Sequence, residues 1–430
     1  MDAAAKSESA ALHSSLRYKL IAFVGNDHVR PPTAADAIAG VQPKLVIEPR
    51  TETELAEVLR LSNEAGLAVV PRGGGTKLGW GNPPARADII LSTARLNEII
   101  EHAWADLTVS VEAGCTVQKL QETLAQHGQR LALDALWPEK ATVGGVLSTN
   151  DSGSLRLRFG ALRDLIIGVT IALADGTLAS SGGKVVKNVA GYDLPKLVTG
   201  ALGTLGIITR AVFRLHPLPL HSRAFSVSNP NSEETQKFVL AVQDSKLAHT
   251  FLQSHFSDEN SSVSDILFEG TEAGLAAQET QLRTLAVPSG VAQASASTWA
   301  AREALWSFVD PRTTAIAKIS ILPATMTPTI ELLAQTARTQ QFRWKALLYA
   351  TGLGWLRLEG KPSALHAALE ILRKELESRN SSLVVLHHPA KMPAFDAWGT
   401  PGDSLPLMKS VKNRLDPKNT LNPGRFLGGI

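Results

Sequence analysis

The sequence predicts an α+β fold in two units: a glycine-rich α/β block, then a separate α+β domain, with the C-terminal tail returning to the first block. Three observations predict it. Short apolar runs alternate with helical periods over roughly residues 42–217. After residue 220 the glycine clusters thin out and amphipathic stretches such as 365–376 take over. The tail 415–426, Leu-Asp-Pro-Lys-Asn-Thr-Leu-Asn-Pro-Gly-Arg-Phe, is turn-rich again and matches the first block in chemistry.

Length and composition support that division. A chain of 430 residues is too long for one ordinary core. With 44% hydrophobic and 19% charged residues it is a globular composition. The expected boundaries are an N-terminal segment at 1–40, a first domain at 41–219, a second at 220–410 and a tail at 411–430. No internal repeat is visible in the sequence. A net charge of +3, from 43 basic and 40 acidic residues, argues against nucleic-acid binding by bulk charge. The single cysteine, Cys115, excludes an intrachain disulfide and a four-cysteine iron–sulfur cluster, so any such relay sits on another protein. No apolar run reaches about eighteen residues, so no transmembrane segment is expected. Residues 1–10 lack the apolar core of a signal peptide. The expected location is cytoplasmic, with any membrane contact made through a partner.

The elements follow in order. Leu45, Val46 and Ile47 form a strand bounded by Pro43 and Pro49. Thr51 and Glu54 make a capping-box pattern, Leu55, Val58 and Leu59 share one helical face, and Gly66 stops the helix. A strand at 67–70 runs straight into Pro71-Arg72-Gly73-Gly74-Gly75-Thr76. Strands are expected at 89–91 and 107–112, and Thr116 caps a helix ending near Gly128. A strand at 166–173 turns at Asp175-Gly176 into a hairpin, and a strand at 206–215 closes the block before Pro217 and Pro219. In the second domain, 316–322, 353–358 and 383–386 read as strands.

Three segments carry chemistry. Gly73, Gly74 and Gly75 leave backbone N–H groups bare directly after a strand, a nest suited to phosphate. Neither a Walker lysine nor the spaced glycines of a doubly wound nucleotide fold follow. The stretch 138–153, Pro-Glu-Lys-Ala-Thr-Val-Gly-Gly-Val-Leu-Ser-Thr-Asn-Asp-Ser-Gly, reads as a loop dense in hydroxyls and small residues. The third runs from Gly182 to Gly206 and brings Lys184, Lys187 and Lys196 near the phosphates, then small residues at 203–206 for close approach to a flat ring. Each segment alone also reads as a surface turn; their combination in one block argues for a dinucleotide site.

In this order and spacing the segments resemble the FAD-binding domain of the vanillyl-alcohol-oxidase-like, PCMH-type flavoproteins, built from two α/β subdomains with a second cap domain. Within that family, Ala190-Gly191-Tyr192-Asp193-Leu194 and Leu202-Gly203-Thr204-Leu205-Gly206 are most similar to the glycolate oxidase subunits. The likeness is specific over 42–217 and 411–426. It implies that Arg72, Gly73, Gly74, Gly75 and Thr76 hold the FAD pyrophosphate. Pro138, Thr142, Gly144, Gly145, Thr149, Asn150, Ser152 and Gly153 are then expected along the diphosphate, ribityl and adenosine side. Gly206 and Ile207 are expected along the flavin, and Asn422 at the isoalloxazine edge. It also implies an FAD-dependent oxidoreductase acting on a small 2-hydroxy acid, with a second FAD-linked oxidase subunit and an iron–sulfur subunit as partners. The redox chemistry is the cofactor's.

The sequence departs from that family in places. No His stands beside the glycine triplet, and Cys115 reads as a small buried residue, so the FAD is expected to be non-covalent. The His-x-Gly-Asp-Gly and Glu-His-Gly runs of the self-sufficient hydroxyacid dehydrogenases are missing. His387 and His388 point to opposite faces of a strand end and read as satisfied or solvated, the alternative being that one of them faces the flavin as a base. Arg312, Arg343 and Arg357 are available as a carboxylate clamp, the alternative for each being a surface charge. The tryptophans of the second half read as core or interface, and the loop 395–402 as a partner contact.

Overall fold

The computed structural model describes residues 16–430 apart from 184–190 and positions 260, 288, 296, 297 and 299. The lysines expected at 184 and 187 therefore lie outside the described residues.

The first domain holds two sheets. Strands β1 (Val29–Arg30), β2 (Leu45–Ile47), β3 (Val69–Arg72) and β4 (Ile89–Ser92) pair in the order β1-β2-β4-β3. The last three are parallel and β1 is antiparallel. Helix Glu52–Glu64 makes the crossover from β2 to β3; the Thr51 hydroxyl accepts from the Glu54 N–H at 3.1 Å. Its apolar residues recur at three- and four-residue spacing, so Leu55, Val58 and Leu59 are fully buried against the sheet. Each contributes on the order of 2 kcal/mol through that burial. Gly66 follows with φ +65°, the left-handed stop expected of it.

Strands β5 (Ile99–Ala103), β6 (Thr108–Glu112), β8 (Ile166–Ala172), β9 (Leu178–Gly182) and β10 (Ile207–Arg214) form the second, wholly antiparallel sheet, ordered β5-β6-β10-β8-β9. The short β7 (Gln129–Arg130) pairs with β11 (His216–Pro217). The stretch 138–153 differs from the loop expected: Val143–Thr149 is a helix, capped by Thr142, whose hydroxyl accepts from the Gly145 N–H at 3.3 Å. Its glycines disfavour helix, but Gly144 packs directly on Ala113, where a side chain has no room.

The second domain carries one eight-stranded antiparallel sheet. Its strands are β12 (His221–Asn229), β13 (His249–Ser257), β14 (Ser262–Gly270), β15 (Gly290–Gln293), β16 (Thr314–Ser320), β17 (Arg343–Tyr349), β18 (Leu353–Glu359) and β19 (Ser382–His387). They lie in the order β15-β12-β14-β13-β17-β18-β16-β19. Each half is a strand–helix–strand–strand–helix–strand unit, and the second half runs in mirrored order. The two join where β13 meets β17, Gln253 opposite Tyr349 and Ser257 opposite Lys345. The domain thus has a twofold structural repeat that the sequence does not display. Four helices pack on one face around Phe238, Leu282, Leu333 and Leu369. The other face meets the first domain through Leu347, Tyr349, Trp355 and Leu386, set against Trp80, Leu136 and Trp137.

The tail returns to the first domain. After helix Leu405–Leu415, Val69 donates to the Thr420 carbonyl at 2.7 Å and Asn422 to the Val69 carbonyl at 2.9 Å, so the tail extends the first sheet at β3. The Lys412 ammonium, 2.6 Å from the Asp416 carboxylate and bonded to the Thr204 and Leu421 carbonyls, fixes it there. No helix among the described residues is long and apolar enough to cross a membrane.

Candidate cofactor cleft and domain interface

β3 delivers the chain into the glycine triplet at the mouth of a cleft enclosing about 700 Å³, part of it open to solvent. The glycines are required by packing as well as by exposure. A Cβ at Gly73 would strike the Thr142 hydroxyl, and one at Gly74 the Lys140 carbonyl. Gly75 has φ +74°. Bare backbone at 73–75 is thereby pressed against the start of helix Val143–Thr149. The Arg72 guanidinium turns away to Asp36 at 2.5 Å, and with Arg30 it holds that carboxyl far below the usual range.

Of the residues expected from the sequence, Arg72, Gly73, Gly74, Gly75, Thr76, Thr142, Gly144, Gly145, Thr149, Ile207 and Asn422 line this cleft. Pro138, Asn150, Ser152, Gly153 and Gly206 are not among its lining residues. Asn150 is the left-handed C-cap of the helix, φ +48°, and Gly206 abuts Ile171. Ser152 and Gly153 are drawn into a buried charge network instead. The Gly153 N–H donates to Asp134 at 3.0 Å, and the Ser152 carbonyl accepts from Arg302 at 3.1 Å. Residues not anticipated include Thr93, Ser148, Leu202 and two cations, Lys77 and Arg425. Arg425 stood three positions beyond Asn422, and only its burial marks it.

The cleft fits FAD on its own chemistry. It offers uncharged backbone and hydroxyl groups, small residues along one wall, and the Asn422 carboxamide oxygen, buried without a partner. The Asn422 amide nitrogen is held by the Leu202 carbonyl, which leaves that oxygen as an acceptor for a ligand donor.

A second set of groups lies where the domains meet. Lys77 and Arg302 flank Asp151 at 3.1 and 2.8 Å. Burial pushes the Asp151 carboxyl up, but the two cations outweigh it and hold it below its ordinary value. Burial pushes the Lys77 ammonium down despite Asp151. Asp134 accepts from the Gly153, Ser154 and Leu155 N–H groups, yet burial still raises it. Nearby, the Lys318 ammonium lies 6.0 Å over the Trp355 ring, and burial pushes it down to about 8. The Trp306 and Trp355 indole N–H groups and His387 Nε2 are all buried there without partners.

Three expectations are corrected here. Arg312 is bound to Asp310 at 3.0 Å, Arg343 to Glu359 at 3.0 Å, and Arg357 to Glu359 and the Leu305 carbonyl, so none of the three is a free clamp. Asp310 and Glu359 lie two positions from Arg312 and Arg357, while Arg343 reaches Glu359 across the β17–β18 pair. His387 is half-buried and its Nε2 is unsatisfied: it lies against Trp306, ring centres 6.4 Å apart, and burial, then His388, lowers its pKa. The loop 395–402, read from the sequence as a partner contact, also makes contacts within the chain, through Trp398 Nε1 to the Arg425 carbonyl at 2.9 Å and Asn82 to Asp396 at 3.0 Å. The stretch 138–153 contains the helix already described. Cys115 is fully buried, with burial pushing its thiol up to about 11, and lies away from the cleft lining.

Comparison with known proteins agrees with this geometry. Residues 43–182 match the FAD binding domain family. The chain is 34% identical to glycolate oxidase subunit GlcD of Bacillus subtilis over 202 residues, 47% of this chain and 40% of that one. It is 34% identical to a D-lactate dehydrogenase of Archaeoglobus fulgidus over 213 residues, 49% and 47% of the two chains. The matched stretch spans less than half the length of each of these relatives. A D-2-hydroxyglutarate dehydrogenase of Xanthomonas citri matches at 26% over 89% of both chains. Among solved structures, p-cresol methylhydroxylase with substrate bound aligns with TM-score 0.81 at 15% identity over 96% of both chains. Alkyldihydroxyacetonephosphate synthase aligns at 0.73 and 18%, over 95% of this chain and 84% of that one.

Proposed function

We propose that this chain, an FAD-binding protein of the PCMH-type FAD-linked oxidase superfamily, is the FAD-carrying, E-type subunit of a glycolate-type 2-hydroxy acid oxidoreductase. The observation that carries the reading is the cleft: a glycine triplet, a capped helix and the returning tail converge on it. Relatives named for glycolate, D-lactate and D-2-hydroxyglutarate support the substrate class. When bound, FAD supplies the two-electron acceptor for a substrate C–H bond. The pyrophosphate is held by the backbone at 72–76, with Thr142, Gly144, Gly145 and Thr149 beside it, Ile207 along the ring and Asn422 at its edge. The subunit assignment is supported by the missing histidine-rich runs. A second FAD-linked oxidase subunit and an iron–sulfur subunit are its proposed partners.

A self-sufficient dehydrogenase is the second reading, and Lys318 and His387 favour it. Lys318, with no carboxylate bound among the described residues, suits a substrate carboxylate. His387, kept neutral by burial, has a free Nε2 to take the hydroxyl proton. The test is anaerobic flavin bleaching of the FAD-loaded chain with glycolate, D-lactate and D-2-hydroxyglutarate. The subunit reading expects a yellow protein that bleaches slowly alone and quickly with its copurified partners. Fast bleaching by the isolated chain gives the case to the second reading, and a colourless protein that rejects FAD sinks both.

A further inference from the structure

We propose that Trp306 of the second domain is a positioning residue for cofactor binding: it braces the two turns that frame the glycine triplet, acting through the side chain of Lys77. The inference rests on the proposed seating of the FAD pyrophosphate at residues 72–76.

Lys77 is shared by the cleft and the domain interface. It lines the cleft directly after Thr76. Its buried ammonium bonds groups outside that lining, the Leu136 carbonyl at 3.2 Å and the Asp151 carboxylate at 3.1 Å. It also lies 5.7 Å from the centre of the Trp80 ring and 5.3 Å from that of Trp137. Those two rings belong to the turns that border the triplet. Leu78 donates to the Gly75 carbonyl at 3.3 Å and Trp80 to the Lys77 carbonyl at 3.1 Å, so the first turn closes onto the loop itself. The Trp137 carbonyl opens the second turn and accepts from Lys140 at 3.0 Å and Ala141 at 2.7 Å. The Lys140 carbonyl is the group that leaves no room for a Cβ at Gly74. Trp137 has φ +54°, a left-handed conformation that bulky residues rarely adopt and that its surroundings must hold.

Part of those surroundings comes from the second domain. Trp306 stacks on Trp80, ring centres 6.2 Å apart and planes 21° apart, and meets Trp137 edge-on at 5.2 Å. One indole from across the interface thus contacts both rings that hold Lys77. Arg302 also reaches this place through Asp151, but its positive charge works against the Lys77 ammonium. Of the two, Trp306 is the one that steadies the seat of Lys77. With both turns braced, the backbone N–H groups at 73–76 are fixed before a phosphate arrives, and binding has less chain to order.

The test measures FAD and ADP affinities of the full chain with Trp306→Ala, Trp306→Phe, Lys77→Met and the double variant Trp306→Ala/Lys77→Met. ADP carries the pyrophosphate without a flavin ring. Trp306→Ala is expected to weaken FAD and ADP alike, about fivefold or more. Trp306→Phe, which keeps a ring against both turns, recovers most of that. Lys77→Met weakens both ligands, and in the double variant the loss is no greater than in Lys77→Met alone. Loss of FAD affinity with ADP untouched puts Trp306 against the flavin instead and overturns the proposal. Unchanged affinities, or losses that add in the double variant, overturn it too. If Trp306→Ala does not fold, Trp306→Leu takes its place under the same expectations. Gly74→Ala is the control on the seating. If it leaves both affinities unchanged, the pyrophosphate is not held at 72–76, and the proposal falls with that reading, whatever the Trp306 variants do.

Discussion

At the scale of single residues, the least expected finding is a lysine left alone. Lys318 titrates near 8 when folded and near 10.5 when unfolded, so the unfolded chain binds more protons between those values. Stability therefore rises with pH from about 8 to 10.5, and below 8 the folded chain bears the full cost of the charge. Lys318→Met is expected to melt at or above wild type at pH 7 and to lose that slope. If Lys318 anchors a carboxylate, the same variant weakens substrate-induced flavin bleaching at least tenfold in KM. Melting curves from pH 7 to 10.5 and a KM series check both. Neither Lys318 nor Arg302 was legible in the sequence, because each owes its role to neighbours more than 140 positions away, such as Asp151. Arg72 to Thr76 and Asn422 were legible, because glycine clusters and an Asn-Pro-Gly turn constrain backbone locally.

At the scale of elements, the glycine triplet is a joint between β3 and helix Val143–Thr149. Gly74→Ala sets a Cβ against the Lys140 carbonyl, backbone on both sides, with no flexible side chain to yield. A cost of about 1–3 kcal/mol and a tenfold or greater loss of FAD affinity are expected. Gly79→Ala is the control, since no heavy atom lies within 4 Å of its Cβ, and it should be close to neutral. Urea unfolding and FAD titration of the pair check this. Strands punctuated by proline or glycine, such as β2, β3 and β8, were readable as strands. β13 and β14 were not. Their Gln253, Ser254, Ser264 and Asp265 break the apolar pattern, yet all four are buried because they bond to one another across the pair. Helix Val143–Thr149 was missed for the complementary reason, tertiary packing overriding poor propensity.

At the scale of the whole molecule, arginines from both sides fasten the second domain to the first, Arg130 through Glu269 at 2.6 Å and Arg302 through a buried network. Arg302 leaves its own domain to bond Asp151, the Ser152 carbonyl and the Asp134 carbonyl. Arg302→Met strands Asp151 with Lys77 alone and is expected to cost about 3–5 kcal/mol. Adding Asp151→Asn should return part of that, whereas removing an unrelated surface pair should not; a double-mutant cycle in urea decides. The two-unit architecture was legible from the change of texture near residue 220. The mirrored halves of the eight-stranded sheet were not, since matching backbones need not keep matching side chains.

The tail that borders β3 also sets a timetable. The Thr420 hydroxyl bonds the Asn63 side chain, 357 positions earlier in the chain, and the open edge at Val69 is covered only when residues 420–422 arrive. A ribosome that has already made the glycine triplet, the capped helix and the whole second domain still holds a half-built cradle. A chain cut before residue 420 therefore lacks Asn422 and Arg425, and with them one side of the cleft.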